Sequence, residues 1–175
     1  VATLITIQRL SYEQVRTILN TLFHLTISDG EIAKILEREA AKLVITEQAM
    51  LASIRQETSH HLDESRYDVK GEARFVWSLT GGESGDTVYT MGVSRGKGIA
   101  EALRGNSLGV LVSDDYGAYR TLATEHQLCF AHLIRKFRDL ATHQDFTPEQ
   151  ILKIQGTYRE IKAFFQTIKM VCRGP

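Results

Sequence analysis

The pattern of apolar and polar positions changes character at about residue 59. Before that point apolar residues recur at helical spacing. Ser11 with Gln14 three residues later reads as a capping box, and Val15, Ile18, Leu19 and Leu22 follow on one face. His24–Ile27 interrupts the pattern. Ser28 with Glu31 forms a second capping box, and Ile32, Ile35, Leu36 and Leu43 predict a second helix continuing through Met50 to Arg55. Val1–Arg9, rich in β-formers, reads as an edge strand or the tail of another element. After the change, strands are expected at His60–Tyr67, Glu72–Leu79 and Thr87–Val93, joined by a Lys70-Gly71 turn and a Gly-rich turn over 80–86. A short helix over Lys97–Leu103 precedes Leu108–Ser113, an apolar run typical of a strand buried on both faces. A short helix over Tyr116–Thr124, a strand over Gln127–Ala131 and a helix over Leu133–Thr142 follow. Thr147 caps a last helix with Pro148 at its first position, whose apolar face is Ile151, Ile154, Tyr158, Ile161 and Phe165.

Three meandering strands, then helix, strand, helix, strand, helix, is the order of an α/β domain of the ribonuclease H-like kind, with a mixed sheet and flanking helices. The expected division is a helical lead-in over 1–58, helix-turn-helix-like, and a core over 59–175. A DNA-reading version of the lead-in would place Glu31–Arg38 in a major groove. The mixture of Glu37, Glu39, Lys34 and Arg38 suits a phosphate-facing surface poorly, so the segment is read as packing structure. In the ribonuclease H-like arrangement the middle of the first strand lies beside the end of the fourth. Asp63 and Asp114 fall at those two places, each preceded by apolar strand residues. That sets them apart from the solvated carboxylates expected among the chain's 21 acids. Clustered carboxylates suit hard cations such as Mg²⁺, and a pair of metals can activate the attacking oxygen and stabilise the leaving one in phosphoryl transfer.

Composition narrows this picture. The chain is 43% hydrophobic with two prolines, as a folded protein is. Its formal net charge is zero, which argues against a protein that coats nucleic acid and leaves room for an enzyme that grips DNA through local patches. No apolar run approaches the roughly 18 residues that span a bilayer, and the start lacks a signal-peptide pattern. Cys129 and Cys172 are too few and too far apart for a disulfide framework, so both are read as thiols of a cytoplasmic protein. Cys129 and His132 have half the spacing of a zinc site, but zinc needs three or four protein ligands and no partner pair follows nearby. His60 and His61 are the further donors, and a structural role is the reading, with Cys129 a buried thiol.

Several ordered motifs resemble the DDE transposases of bacterial insertion sequences, in particular the insertion sequence sixty-six group. Asp63-Glu64-Ser65 resembles that group's Asp-Glu-Thr, and Trp77 matches a Trp in its second strand. Ser94-Arg95 matches a Ser-Arg pair, and Asp114-Asp115-Tyr116-Gly117-Ala118-Tyr119 its Asp-Gly-Tyr-x-x-Tyr. Cys129-Phe130-Ala131-His132, with Arg135-Lys136-Phe137 after it, resembles Cys-Trp-Ala-His and a basic helix. The resemblance implies a ribonuclease H-like core, dependence on Mg²⁺ or Mn²⁺, and DNA (transposon ends and target) as substrate. It implies Asp63 and Asp114 as catalytic, metal-binding acids, with Asp115 standing where the group has Gly. The third acid is placed at Glu160, which follows Tyr158 as the group's Glu follows a Tyr, with Glu149 as the alternative. Arg95, His132, Arg135 and Lys136 are the expected DNA contacts. A homo-oligomer, a cytoplasmic, nucleoid-associated location and no membrane partner are implied as well. Members of the group are longer, so the resemblance also implies a truncated copy. An inactive interaction module on the same fold and a structure-specific nuclease are the alternatives.

Overall fold

The computed structural model describes residues 1–143 and 145–173, with side chains through Val171, so Cys172 lies outside the described side chains. The chain divides into two compact units, Val1–Leu51 and Ala52 onward.

In the first unit α1 (Ala2–Thr6) and α2 (Tyr12–Phe23) precede α3 (Asp29–Ile54), whose last turn belongs to the second unit. Both expected capping boxes form. The Ser11 hydroxyl accepts from the Gln14 N–H at 3.2 Å while Gln14 accepts from the Ser11 N–H at 2.8 Å. Ser28 and Glu31 repeat the exchange at 3.2 and 2.8 Å. α2 stops at His24, whose left-handed backbone (φ 54) turns its N–H back onto the Asn20 carbonyl. Val15 and Ile32 are fully buried. The edge strand expected at Val1–Arg9 is instead a helical turn, with the Ile5 N–H on the Val1 carbonyl and the Ile7 N–H on the Thr3 carbonyl. A short apolar run carries no periodicity that separates strand from helix, and here the backbone groups are satisfied locally.

The second unit is built on a five-stranded mixed sheet of order β3-β2-β1-β4-β5. β1 (Ser59–Val69), β2 (Glu72–Gly81) and β3 (Thr87–Gly92) form an antiparallel meander. β4 (Val110–Ser113) pairs parallel with β1, and β5 (His126–Leu128) parallel with β4. This strand order and these directions are the ribonuclease H-like arrangement. At the β1–β2 hairpin Lys70 and Gly71 both take positive φ (52 and 82), as a two-residue primed turn requires. α4 (Lys97–Arg104), α5 (Phe130–Leu140) and α6 (Pro148–Arg173) complete the unit. Tyr116–Thr124 is not the expected helix. It is a run of turns, with the Tyr119 N–H on the Tyr116 carbonyl and the Leu122 N–H on the Tyr119 carbonyl.

Period-two alternation sorts the sheet into two faces. His60, Leu62, Trp77, Leu79, Val88 and Leu111 are buried on one, together with Ala100 and Leu103 of α4. His61 and Asp63 of β1 and Tyr89 and Met91 of β3 are exposed on the other. Two arginines brace the β4 end. Arg55 donates to the Leu103 and Ala102 carbonyls at 3.0 and 2.5 Å, closing the C-terminus of α4. Arg104, largely buried, donates to the Leu122 carbonyl at 2.8 Å and the Gly109 carbonyl at 3.3 Å.

Gly109, just before β4, has no room for a side chain. A methyl group there would lie 2.5 Å from the Glu57 carbonyl oxygen and against the His60 ring. Gly109→Ala is therefore expected to destabilise the protein by about 1–3 kcal/mol, as overpacking does. A urea midpoint equal to that of the parent would refute the close approach.

Candidate active site

The parallel ladder of β1 and β4 runs Ser59↔Val110, His60↔Leu111, His61↔Val112. Continued at the same offset, it sets Asp63 abreast of Asp114, just past the end of β4. Neighbouring strands lie about 4.8 Å apart, and partners in a parallel ladder share a face. Asp63 is exposed and Asp114 half-buried. One oxygen of each is fixed by a local N–H: Asp63 Oδ1 accepts from Glu64 and Asp114 Oδ1 from Tyr116, both at 2.9 Å. The second contact is an Asx-type turn, and it directs the chain away from the strand at Tyr116. Among the described residues the second oxygen of each carboxylate accepts no hydrogen bond.

Glu64 points to the opposite face of β1 from Asp63, and only 2% of its side chain is exposed. A buried carboxylate must be paired, and this one is. Arg95 donates to its Oε1 through Nε at 2.5 Å and through Nη2, and the Tyr119 hydroxyl donates to its Oε2. The Arg95 guanidinium lies over the Tyr116 ring, 3.9 Å from its centroid, and the Tyr116 hydroxyl donates to the Arg95 carbonyl at 3.0 Å. Burial pushes the Tyr119 hydroxyl well above its ordinary pKa. The Glu64 bond and the charges of Glu64, Asp63 and Asp114 push it in the same direction. Desolvation opposes the charge on Arg95, but the Glu64 bond and the charges of Glu64, Tyr116 and Asp114 prevail and hold its pKa above the usual value. The Tyr119 hydroxyl thus feels the charges of both Asp63 and Asp114, and the Arg95 guanidinium that of Asp114.

The other sequence-derived residues are distributed more widely. His132, on the first turn of α5, lines a cavity of about 20 Å³ with Asp114, Cys129 and Lys136, and its buried Nδ1 has no partner among the described residues. That volume is about what one water needs. Lys136 reaches Asp115 at 3.5 Å, and Arg120 reaches the same carboxylate at 2.8 Å. The hydrogen bond and charge of Arg120, then Lys136, hold Asp115 below the usual carboxylate range. Asp115 is therefore an ion-pair partner of Arg120 and Lys136. Arg135 is exposed on α5, and Glu160 is exposed on α6. Among the described residues no group of three or more His, Cys, Asp or Glu is placed to hold a metal ion, so Glu160 is not brought to the aspartates and Cys129 and His132 gain no zinc-ligating partners. His60 is engaged on the buried face with the Ser107 hydroxyl at 2.8 Å.

Sequence reasoning missed Glu64, Tyr116 and Tyr119 as parts of one network. The signal for Glu64 was present: on a strand, the residue after an exposed acid points into the core and needs a counter-charge. The sequence did not reveal that Arg95, in the β3–α4 connection, would supply it.

No helix among the described residues is long and apolar enough to cross a membrane. No curated protein matches the chain. Distant likeness extends to solved retroviral structures. One is the HTLV-2 integrase catalytic core domain in complex with magnesium in its trimeric form, 13% identical, covering 57% of this chain and 82% of that one at a TM-score of 0.35. The dimeric form is 11% identical, covering 55% and 81% at 0.34. Another is the simian T-cell lymphotropic virus intasome in complex with the PP2A regulatory subunit B56 gamma, 12% identical, covering 57% of this chain at a TM-score of 0.34. The match spans 46% of that intasome chain. The family model described as Transposase IS66 family matches residues 1–171. The chain belongs to the IS66 family of transposases.

Proposed function

We propose that this chain carries the DDE centre of an insertion-sequence transposase, in which Asp63 and Asp114 hold divalent metal for cleavage and strand transfer on DNA. The observation that supports this most directly is the β1–β4 register, whose offset, continued past His61↔Val112, would bring the two aspartates abreast. Mg²⁺ keeps several waters and is typically held by one or two carboxylates together with substrate phosphates. The unengaged oxygens of Asp63 and Asp114 fit that donor set, and Mn²⁺ suits it equally. When bound, the metal would supply charge stabilisation to the attacking and leaving oxygens.

Hydrolysis at a transposon end breaks a P–O3′ bond and leaves a 3′-hydroxyl. That oxygen then attacks a phosphate of target DNA, displacing the target's own 3′-oxygen. The protein's part is to hold the strand in line. Arg95 and His132 flank Asp114 as phosphate contacts, and Arg135 and Lys136 extend the grip along α5. Glu160 is the proposed third acid. From the exposed side of α6 it joins the pair only when α6 moves or when another copy supplies it in a homo-oligomer on paired ends. That exposed position also favours a second reading, a DNA-binding module on a transposase fold that does not cleave.

Calorimetric titration of Mn²⁺ tests the metal pair. Binding is expected in the parent, weakened by more than about a hundredfold in Asp63→Asn and in Asp114→Asn, because even outer-shell partners of a metal are worth about 10–100-fold. Binding indifferent to both substitutions would end the proposal.

A further inference from the structure

We infer that Glu64, Tyr116 and Tyr119 form a frame that presets the Arg95 guanidinium as a ligand for a DNA phosphate beside the turn that carries Asp114. The inference rests on the proposed function for the identity of the ligand, and on the following geometry for the frame.

An arginine side chain is long and rotamer-rich, and ordering it on binding costs about 0.5–1.5 kcal/mol. Here it is ordered before any ligand arrives. Glu64 Oε1 takes Nε and Nη2, so one edge of the fork is fixed. The Tyr116 ring supports one face at 3.9 Å. The Tyr116 hydroxyl pins the Arg95 carbonyl at 3.0 Å, so the backbone is held as well as the side chain. Tyr119, fully buried and edge-on to both Trp77 and Tyr116, holds the other oxygen of Glu64. The frame joins β1, the β3–α4 connection and the turn after β4, the segments that carry or adjoin both aspartates.

Yet the guanidinium is not sealed in. Nearly half of the Arg95 side chain, 46%, stays exposed, against 2% for its partner Glu64. A pair that served packing alone could be replaced by apolar groups at little or no cost in stability. A buried acid that fixes a half-exposed cation against the turn that carries Asp114 does something packing does not require: Arg95 lies on the Tyr116 ring, and the Tyr116 N–H is bound to Asp114 Oδ1. The guanidinium offers planar N–H donors to a phosphate at that turn, and arginine recognises phosphate through such a fork. Glu64 is then a positioning residue: it acts through Arg95.

The test is the affinity of the full chain for a fluorescein-labelled DNA duplex of mixed sequence, measured by anisotropy across a salt series. Arg95→Ala is expected to weaken binding by about tenfold and to lower the slope of log affinity against log salt by about one, the signature of one lost phosphate contact. Arg95→Lys keeps the charge and the slope but loses several-fold in affinity, because lysine can neither stack nor fork. Glu64→Gln weakens binding several-fold although it removes a negative charge, and it has no further effect in an Arg95→Ala background. Should Glu64→Gln fail to fold, Tyr116→Leu takes its place with the same expected dependence on Arg95. Tighter binding by Glu64→Gln, or losses that add in the double variant, would show that Glu64 acts by charge alone and overturn the frame. An Arg95→Ala variant with unchanged affinity and slope overturns it too. In those cases Mn²⁺ binding that still depends on Asp63 and Asp114 leaves the metal-pair reading standing. A parent chain that binds Mn²⁺ but no DNA overturns the frame and the DNA reading together.

Discussion

Asp114→Asn is expected to slow Mn²⁺-supported nicking of supercoiled plasmid by about a thousandfold, the equivalent of about 4 kcal/mol of transition-state stabilisation. The substitution is informative because it preserves the local fold. The amide oxygen of Asn can still accept the Tyr116 N–H that Asp114 Oδ1 accepts at 2.9 Å, so the turn after β4 survives and only the charge is removed. Asp63→Asn is equivalent on β1, where the Glu64 N–H holds one oxygen at the same distance. Thermal unfolding should leave both variants near the parent, which separates a lost centre from a lost structure. Nicking by either variant at the parent rate would remove the carboxylate pair from the reaction. A parent that binds Mn²⁺ and DNA but never nicks would favour the non-cleaving module.

Trp77→Ala is expected to cost about 3–5 kcal/mol, the range for removing a large aromatic from a core, out of a total of about 5–15 kcal/mol for a typical domain. Trp77 is fully buried in the middle of β2, opposite Glu64 in the β1–β2 ladder, and meets the Tyr119 ring edge-on at 6.2 Å. Its removal would take the support from under the hydroxyl that holds Glu64, so the damage would reach the site as well as the core. The indole N–H is buried without a partner in the described structure. Trp77→Phe gives up no hydrogen bond there and should cost less than about 1.5 kcal/mol. Urea unfolding of the two variants decides the matter. A Trp77→Ala loss below about 1 kcal/mol would mean the core closes over the gap.

The strands were legible because their signals are local. β-branched and aromatic runs bounded by turn residues mark β2 and β3, a short apolar run marks β4, and Ser11, Ser28 and Thr147 mark helix starts through their side chains. Errors arose where a residue's partner lies far along the chain or where the pattern is too short. Val1–Ile7 offered an apolar run with no period. Tyr116–Thr124 had helix-compatible residues, but the Tyr116 and Tyr119 hydroxyls are drawn to Arg95 and Glu64, partners far along the chain. Glu160 was placed by its spacing from Tyr158, and spacing along a helix says nothing about which neighbour that helix faces. Its exposed position on α6 follows from packing that one sequence does not reveal.

The β1–β4 ladder also determines where the chain tolerates changes in length. The offset of that ladder, which brings Asp63 level with Asp114 when continued, is set by pairing between the strands and not by the number of residues between them. The Gly-rich turn over 82–86 could gain residues at Gly85, where there is open space, without shifting that offset, at a closure cost that grows only slowly with length. One residue inserted between Ser59 and Asp63, or between Val110 and Asp114, would turn that acid to the opposite side of the sheet, because side chains alternate. Length variation among homologues should therefore collect in that Gly-rich turn and be absent from the two short runs that lead to the acids.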